Sequence, residues 1–384
     1  MHGRRAYWMV VAGVVMVASA AGPAASRGES PEGANARQVV ERLKTTRIVS
    51  IQDYDKINAI DQEGMAGVWG DSPVKEYDRE YRPRLEEYLG VKLILVRSDE
   101  LLAEMAKVAD EDAERLADTW IREATEMKNV KRSDVVRPAY LYFAFKALLK
   151  KYDAAAITYD SATLTLSDQK VKAWTPLAIL ELAKEHVPCC CQSHVDCLVT
   201  QLIGSRLTGG RPGFVGDVLN DWAFKAAGDR PNGVIVLGHC GAAINPHGDD
   251  RIPYLIRDHI HSDKKWFGPD DVPTATTVTW PAGEPATVVK FDVGRKKVSV
   301  YTAKVRDGNA LFVDFANCIC RNKMVVEMDR PDQCYLLPSS PKEGAFRSWW
   351  GSWGCHQVVF YGDLRDRIKE VAALSGFRVV EGKQ

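Results

Sequence analysis

The chain has no excess charge of either sign: 51 basic side chains stand against 51 acidic ones in 384 residues. A nucleic-acid partner needs a basic surface for its phosphates, so none is expected. The same balance gives no reason to expect a stable membrane partner. Cysteine is scarce and odd in number, nine residues in all, which excludes a disulfide scaffold at this length. No C-x-x-C pair offers a structural zinc site. Also missing are G-x-S-x-G, the Walker phosphate loop and G-x-G-x-x-G, and with them the common hydrolase and nucleotide signatures. Repeats and low-complexity tracts are absent. The composition, 46% hydrophobic and 27% charged, suits an ordinary globular protein of two or three domains.

Gly3-Arg4-Arg5 precedes a small and apolar run from Ala6 to Gly22, then Pro23-Ala24-Ala25-Ser26. A basic start, an apolar segment and small residues at a cleavage-like site describe a signal peptide over 1–26. An uncleaved N-terminal membrane anchor is the alternative. Arg4-Arg5 hints at twin-arginine export. The expected location is periplasmic or extracellular, with 27–36 a polar linker. In an exported protein Cys318 or Cys320 is a candidate to pair with Cys334.

From Val91 to Gly241, apolar strands alternate with amphipathic helices, the pattern of a parallel-sheet α/β domain. Strands are expected at 47–51, 91–96 and 154–158, with Ser98 capping a helix and Pro176 opening another. After about residue 270 the pattern changes. Residues 288–301 alternate as a β-hairpin, 310–315 and 323–328 extend a strand-rich region, and a terminal helix follows. The expected fold is therefore a parallel-sheet α/β domain over 37–265, then a mainly β domain with a C-terminal helix over 266–384.

The stretch Pro188–Trp222 is the organising feature. Val195, Leu198, Val199, Leu202 and Ile203 mark one apolar helix face, closed by Gly209, Gly210 and Pro212. Gln192 lies before that helix and Asp217 after it, both at expected strand ends, where open α/β sheets bind ligands. His239, beside Cys240 and Gly241, ends a further strand on that edge. It is equally readable as a hydrogen-bonded loop residue. His194 shares the turn of Gln192. Cys189, Cys190 and Cys191 read as a buried small-residue strand. His259 and His261 could bind a metal, but their charged surroundings make exposure the simpler reading. His356 follows the aromatic cluster Trp349, Trp350 and Trp353, where packing competes with ligand contact.

These residues resemble the L-fucose isomerase family and its relatives around L-arabinose isomerase. Leu207-Thr208-Gly209 ends the helix as in that family. Phe214, Asp217, Val218 and Trp222 follow its Phe-x-x-Asp-Val-x-x-x-Trp pattern, and Ser352-Trp353-Gly354-Cys355-His356 resembles its metal-histidine segment. The resemblance implies an aldose–ketose isomerase acting on a small-molecule sugar through an ene-diol, with Mn²⁺ or another divalent cation. Asp217, His356 and the Gln192 position would hold the metal, and Asp217 would transfer protons. His239, His194, Trp222 and Trp353 are the expected substrate contacts, and a homo-oligomer is the expected assembly. Gln192 stands where the family has a glutamate that serves as ligand and base, and an amide has no useful proton affinity. Two readings follow: a divergent isomerase, or an exported carbohydrate-binding relative with a degenerate site.

Overall fold

The computed structural model describes residues 33–58, 77–219, 233–260, 271–312, 315, 320–332, 334 and 353–381. The signal-peptide segment and Trp222 lie outside these residues. Among the described residues no helix is long and apolar enough to cross a membrane.

The first sheet is parallel and has four strands in the order β2-β1-β4-β5: β1 (Arg47–Ile51), β2 (Lys92–Val96), β4 (Ala156–Tyr159) and β5 (Cys189–Cys191). All three residues of β5 are buried, as the cysteine run implies. Helices connect and cover the strands: α1 (Ala36–Leu43), α2 (Asp78–Leu89), α3 (Ser98–Met105), α4 (Asp110–Glu123), α5 (Arg132–Tyr152), α6 (Pro176–Lys184) and α7 (Val195–Leu207). Pro176 occupies the first turn of α6 as expected. Ser98 does not cap α3. It is the first helical residue, and the capping acceptor is Asp53 from the end of β1, 2.8 Å from Ser98 N and 2.6 Å from its Oγ.

The second sheet is a barrel-like ring. β6 (Phe214–Val218), β7 (Val234–His239), β10 (Pro285–Asp292), β11 (Lys297–Arg306), β12 (Asn322–Met328) and β13 (His356–Tyr361) run in the order β10-β13-β6-β7-β12-β11, and β10 closes on β11. The pairings around the ring are antiparallel. β14 (Arg378–Val380) adds in parallel to β11, and α9 (Arg365–Leu374) precedes it. The expected β10–β11 hairpin forms, but its strands are buried almost throughout and do not alternate between buried and exposed residues. Of the strand expected at 310–315, residues 310 and 311 are helical instead, because Asp307 accepts from Asn309 N and caps a short helix, α8 (Gly308–Leu311), while 313 and 314 lie outside the described residues. A third, small sheet joins β3 (Met127–Lys128), β8 (Tyr254–Asp258) and β9 (Thr274–Val278).

The mixed α/β class thus stands, with one reassignment. β6 and β7 pair with barrel strands and with each other, and neither pairs with the parallel sheet. A short buried apolar run has the same sequence signature in either setting, so periodicity finds the strand and leaves its partner undetermined.

α7 joins the two sheets. Its apolar residues pack with Ile48, Ala156 and Cys190 on one side and Val289, Phe291, Val358 and Phe360 on the other. The opposite face, read from sequence as polar, is buried as well. Asp196 Oδ1 accepts from Tyr81 Oη at 2.6 Å and Val293 N at 3.1 Å, and Thr200 Oγ1 accepts from Phe291 N at 2.9 Å. Asp196 and Thr200 are thus stitched to neighbouring elements, which is what allows them to be buried.

Candidate metal centre

β6 and β13 run antiparallel with Asp217 directly opposite His356. Directly opposed residues project from the same face of the ladder, so the pairing itself brings carboxylate and imidazole together. His356 Nε2 lies 3.1 Å from Asp217 Oδ1, with the histidine fully buried and the aspartate side chain 21% exposed. Residues far apart in sequence, brought forward by different motifs, therefore meet on one face.

Cys355 completes the cluster. Its Sγ lies 2.8 Å from His356 Nδ1. One donor atom each from Asp217, Cys355 and His356 fall within 4.8 Å of one another. Consecutive strand residues point to opposite faces, so adjacency in sequence argues against Cys355 and His356 acting together. Cys355 escapes that rule because it precedes β13, just after Gly354 turns the chain with φ 71°. The sequence motif contains Cys355, but only the structure gives it a role.

The parallel sheet contributes from the other side. After β5 the chain passes through Gln192 (φ 69°) and Ser193 (φ 52°), both in the left-handed region that non-glycine residues avoid. Two such residues together cost on the order of 1–3 kcal/mol each. The turn is held by Gln192 N donating to Tyr159 O at 2.6 Å and Ser193 Oγ donating to Ile51 O at 3.2 Å. It delivers His194, whose ring centroid lies 3.7 Å from that of His356. Gln192 Oε1 pairs with His194 Nε2 at 3.3 Å. The turn sets the His194 ring against His356 and leaves the Gln192 side chain on His194.

His239 ends β7 with its ring 5.3 Å from His356 and its Nδ1 3.2 Å from Cys191 Sγ. Burial holds the His239 imidazole well below its ordinary pKa, reinforced by His356, His194 and His259 around it. It is therefore neutral, the form that accepts a hydrogen bond or ligates a metal. Burial also pushes the Cys191 thiol up to about 12, with nearby Asp217 adding to the rise against hydrogen bonds from Ser161 and Thr175. Cys191 thus stays protonated beside the neutral His239 ring.

His259 corrects an expectation. It is buried, not exposed, with Nε2 2.9 Å from Cys240 Sγ and its ring 4.5 Å from that of Trp174. Asp258, read as solvent-facing, is buried and neutralised from just before β12: Arg321 Nη2 donates to Asp258 Oδ2 at 2.8 Å, and its Nε donates to Asp258 O at 2.9 Å. His261 lies outside the described residues. No disulfide joins Cys320 to Cys334. Cys318 lies outside the described residues. Trp353 is buried, with Lys297 Nζ 4.0 Å above its ring. A narrow crevice of about 20 Å³ reaches Cys191 and His239 from behind β5 and is not lined by Asp217 or His356.

Asp217, Cys355 and His356 offer a carboxylate, a thiol and an imidazole as possible donors to a divalent cation. No protein-family model matches this chain, and no curated protein is significantly similar to it.

Proposed function

We propose that this protein is a divalent-metal-dependent aldose–ketose isomerase, a divergent relative of the L-fucose and L-arabinose isomerases that acts on an exported or extracellular sugar pool. The observation that carries the reading is the pairing of Asp217 with His356 at 3.1 Å across β6 and β13. The resemblance in sequence names these two residues as metal ligands, and ligands of one ion must converge.

A bound divalent cation would polarise the sugar carbonyl and stabilise negative charge developing on its oxygen. Asp217, His356 and the Gln192 amide oxygen would hold it. Asp217 is the one carboxylate in the three-residue cluster and is partly open to solvent. It is placed to take a proton from one carbon and return it to the next. His194, whose ring packs against that of His356, would be a second proton-transfer group, one ring nitrogen held by Gln192. Gln192 itself orients and cannot act as a base. Losing a general base costs roughly 10²–10⁴-fold in rate, so a slow enzyme is expected.

A second reading rests on that amide: a carbohydrate-binding protein whose isomerase site has lost its chemistry. The purified protein, loaded with Mn²⁺ or Zn²⁺ and offered L-fucose, L-arabinose and related aldoses, separates the two. Ketose from the native protein, abolished in Asp217→Asn, upholds the isomerase. Sugar binding without ketose, with turnover appearing only in Gln192→Glu, upholds the degenerate site. Neither binding nor turnover of any aldose sinks both.

A further inference from the structure

Manganese is the metal of the resembled family, yet the donor set here contains a sulfur that hard-cation sites lack. We propose that Cys355 is a metal ligand, and that the centre is built for a thiophilic divalent cation, Zn²⁺ by class, in preference to Mn²⁺. This rests on the metal centre of the preceding section, though not on the isomerase reaction.

Three observations converge on it. Donor atoms of Asp217, Cys355 and His356 lie within 4.8 Å of one another. Tetrahedral zinc places its ligand atoms about 3.3–3.6 Å apart, as its bond lengths of ~2.0–2.3 Å require. Cys355 Sγ lies at the Nδ1 edge of His356 and Asp217 Oδ1 at its Nε2 edge, so one ion takes a single ring nitrogen and the other donor must swing round the ring to join it. Secondly, Cys355 and His356 are both buried, Cys355 immediately before β13 and His356 as its first residue. Thirdly, there is the charge. With glutamine at position 192, Asp217 would be left as the only anionic ligand. A Cys355 thiolate restores the second negative charge, and it does so with the softer donor that favours Zn²⁺ over Mn²⁺ in both ligand type and intrinsic affinity. Binding replaces the thiol hydrogen by the metal: Cys355 S–H and M²⁺ give Cys355 S–M and one released proton. The coordination shell is then Asp217, Cys355 and His356, with a fourth position for Gln192, water or substrate, the open arrangement of catalytic zinc sites.

The test uses the full chain, stripped with chelator and titrated with Co²⁺ alone. Thiolate ligation gives an intense near-ultraviolet charge-transfer band that oxygen and nitrogen ligands do not. The band should appear in the native protein, persist in Cys191→Ser and Cys240→Ser, and vanish in Cys355→Ser. The preference for Zn²⁺ over Mn²⁺ in direct competition should fall by on the order of tenfold or more in that variant. Because Cys355→Ser alters a buried site, X-ray absorption at the zinc edge of the native protein provides a test without mutation: one sulfur at about 2.3 Å is expected. A shell of oxygen and nitrogen only, or a cobalt band that survives Cys355→Ser, overturns the assignment. A sulfur shell in a protein that isomerises no aldose would uphold this ligand and reject the isomerase reading. Isomerase activity with Mn²⁺ and no sulfur shell would do the reverse.

Discussion

Lys297 sits beneath Trp353 with its side chain almost wholly buried and Asp292 Oδ2 3.7 Å away. Burial lowers its pKa to about 8; Asp292 opposes the shift, while Arg295 and Arg378 deepen it. An unfolded lysine titrates near 10.4. Between those values the unfolded chain binds more protons than the folded one, so stability rises with pH from about 8 to about 10.4. Below pH 8 the full cost of burying the cation is present, on the order of 1–3 kcal/mol. Lys297→Met should raise the melting temperature at pH 7 and flatten its dependence on pH between 8 and 10; a variant with the native slope would show that Lys297 is solvated. At this scale the sequence is informative for chemistry and poor for burial. Asp217 and His356 stand out by motif. Cys355 and His259 do not, because neighbouring residues suggest the wrong face for one and the wrong exposure for the other.

α7 shows what an element contributes beyond its residues. A Cβ added at Gly204 would lie 2.2 Å from Phe360 Cζ, far inside contact distance. The glycine is what lets the helix approach β13, the strand that begins with His356. Gly204→Ala should therefore cost roughly 1–3 kcal/mol by overpacking. It should also weaken metal binding, since β13 must shift to relieve the clash. The smaller side chain in the double variant Gly204→Ala with Phe360→Leu should recover much of both losses, as read by denaturant titration and metal affinity. Recovery of neither would place the clash elsewhere. The helix itself is legible from its apolar spacing, and its end from Gly209 and Gly210. Its total burial is not, because Asp196 and Thr200 look like surface residues until their partners on α2 and the barrel are in place. The strands after it are recognisable as strands for the same reason that their sheet is not: partner choice is a long-range property, settled here by the antiparallel match of Asp217 with His356 on one side and Gly238 on the other.

On the scale of the whole molecule, the centre lies where the two sheets meet. Gln192 and His194 come from the turn after β5, while Asp217, His239, Cys355 and His356 come from barrel strands or their approaches. The main core is likewise shared, with Val49 and Tyr159 of the parallel sheet in the same apolar cluster as Ile235 and Leu237 of the barrel. A cation bound at this seam stabilises the native state by mass action, about 2.7 kcal/mol when its concentration is 100 times Kd. Because the core is continuous, that stabilisation should move one cooperative transition and not just a barrel transition. Calorimetry with and without Zn²⁺ should show a single endotherm shifted upward by several degrees. The shift should disappear in His356→Ala. In Gln192→Ala it should be reduced but not abolished, because a neutral oxygen contributes less to a cation than Asp217 or Cys355. Two endotherms, with the metal moving one alone, would instead mean that the sheets unfold separately and that the turn at Gln192 is not part of the coordination shell.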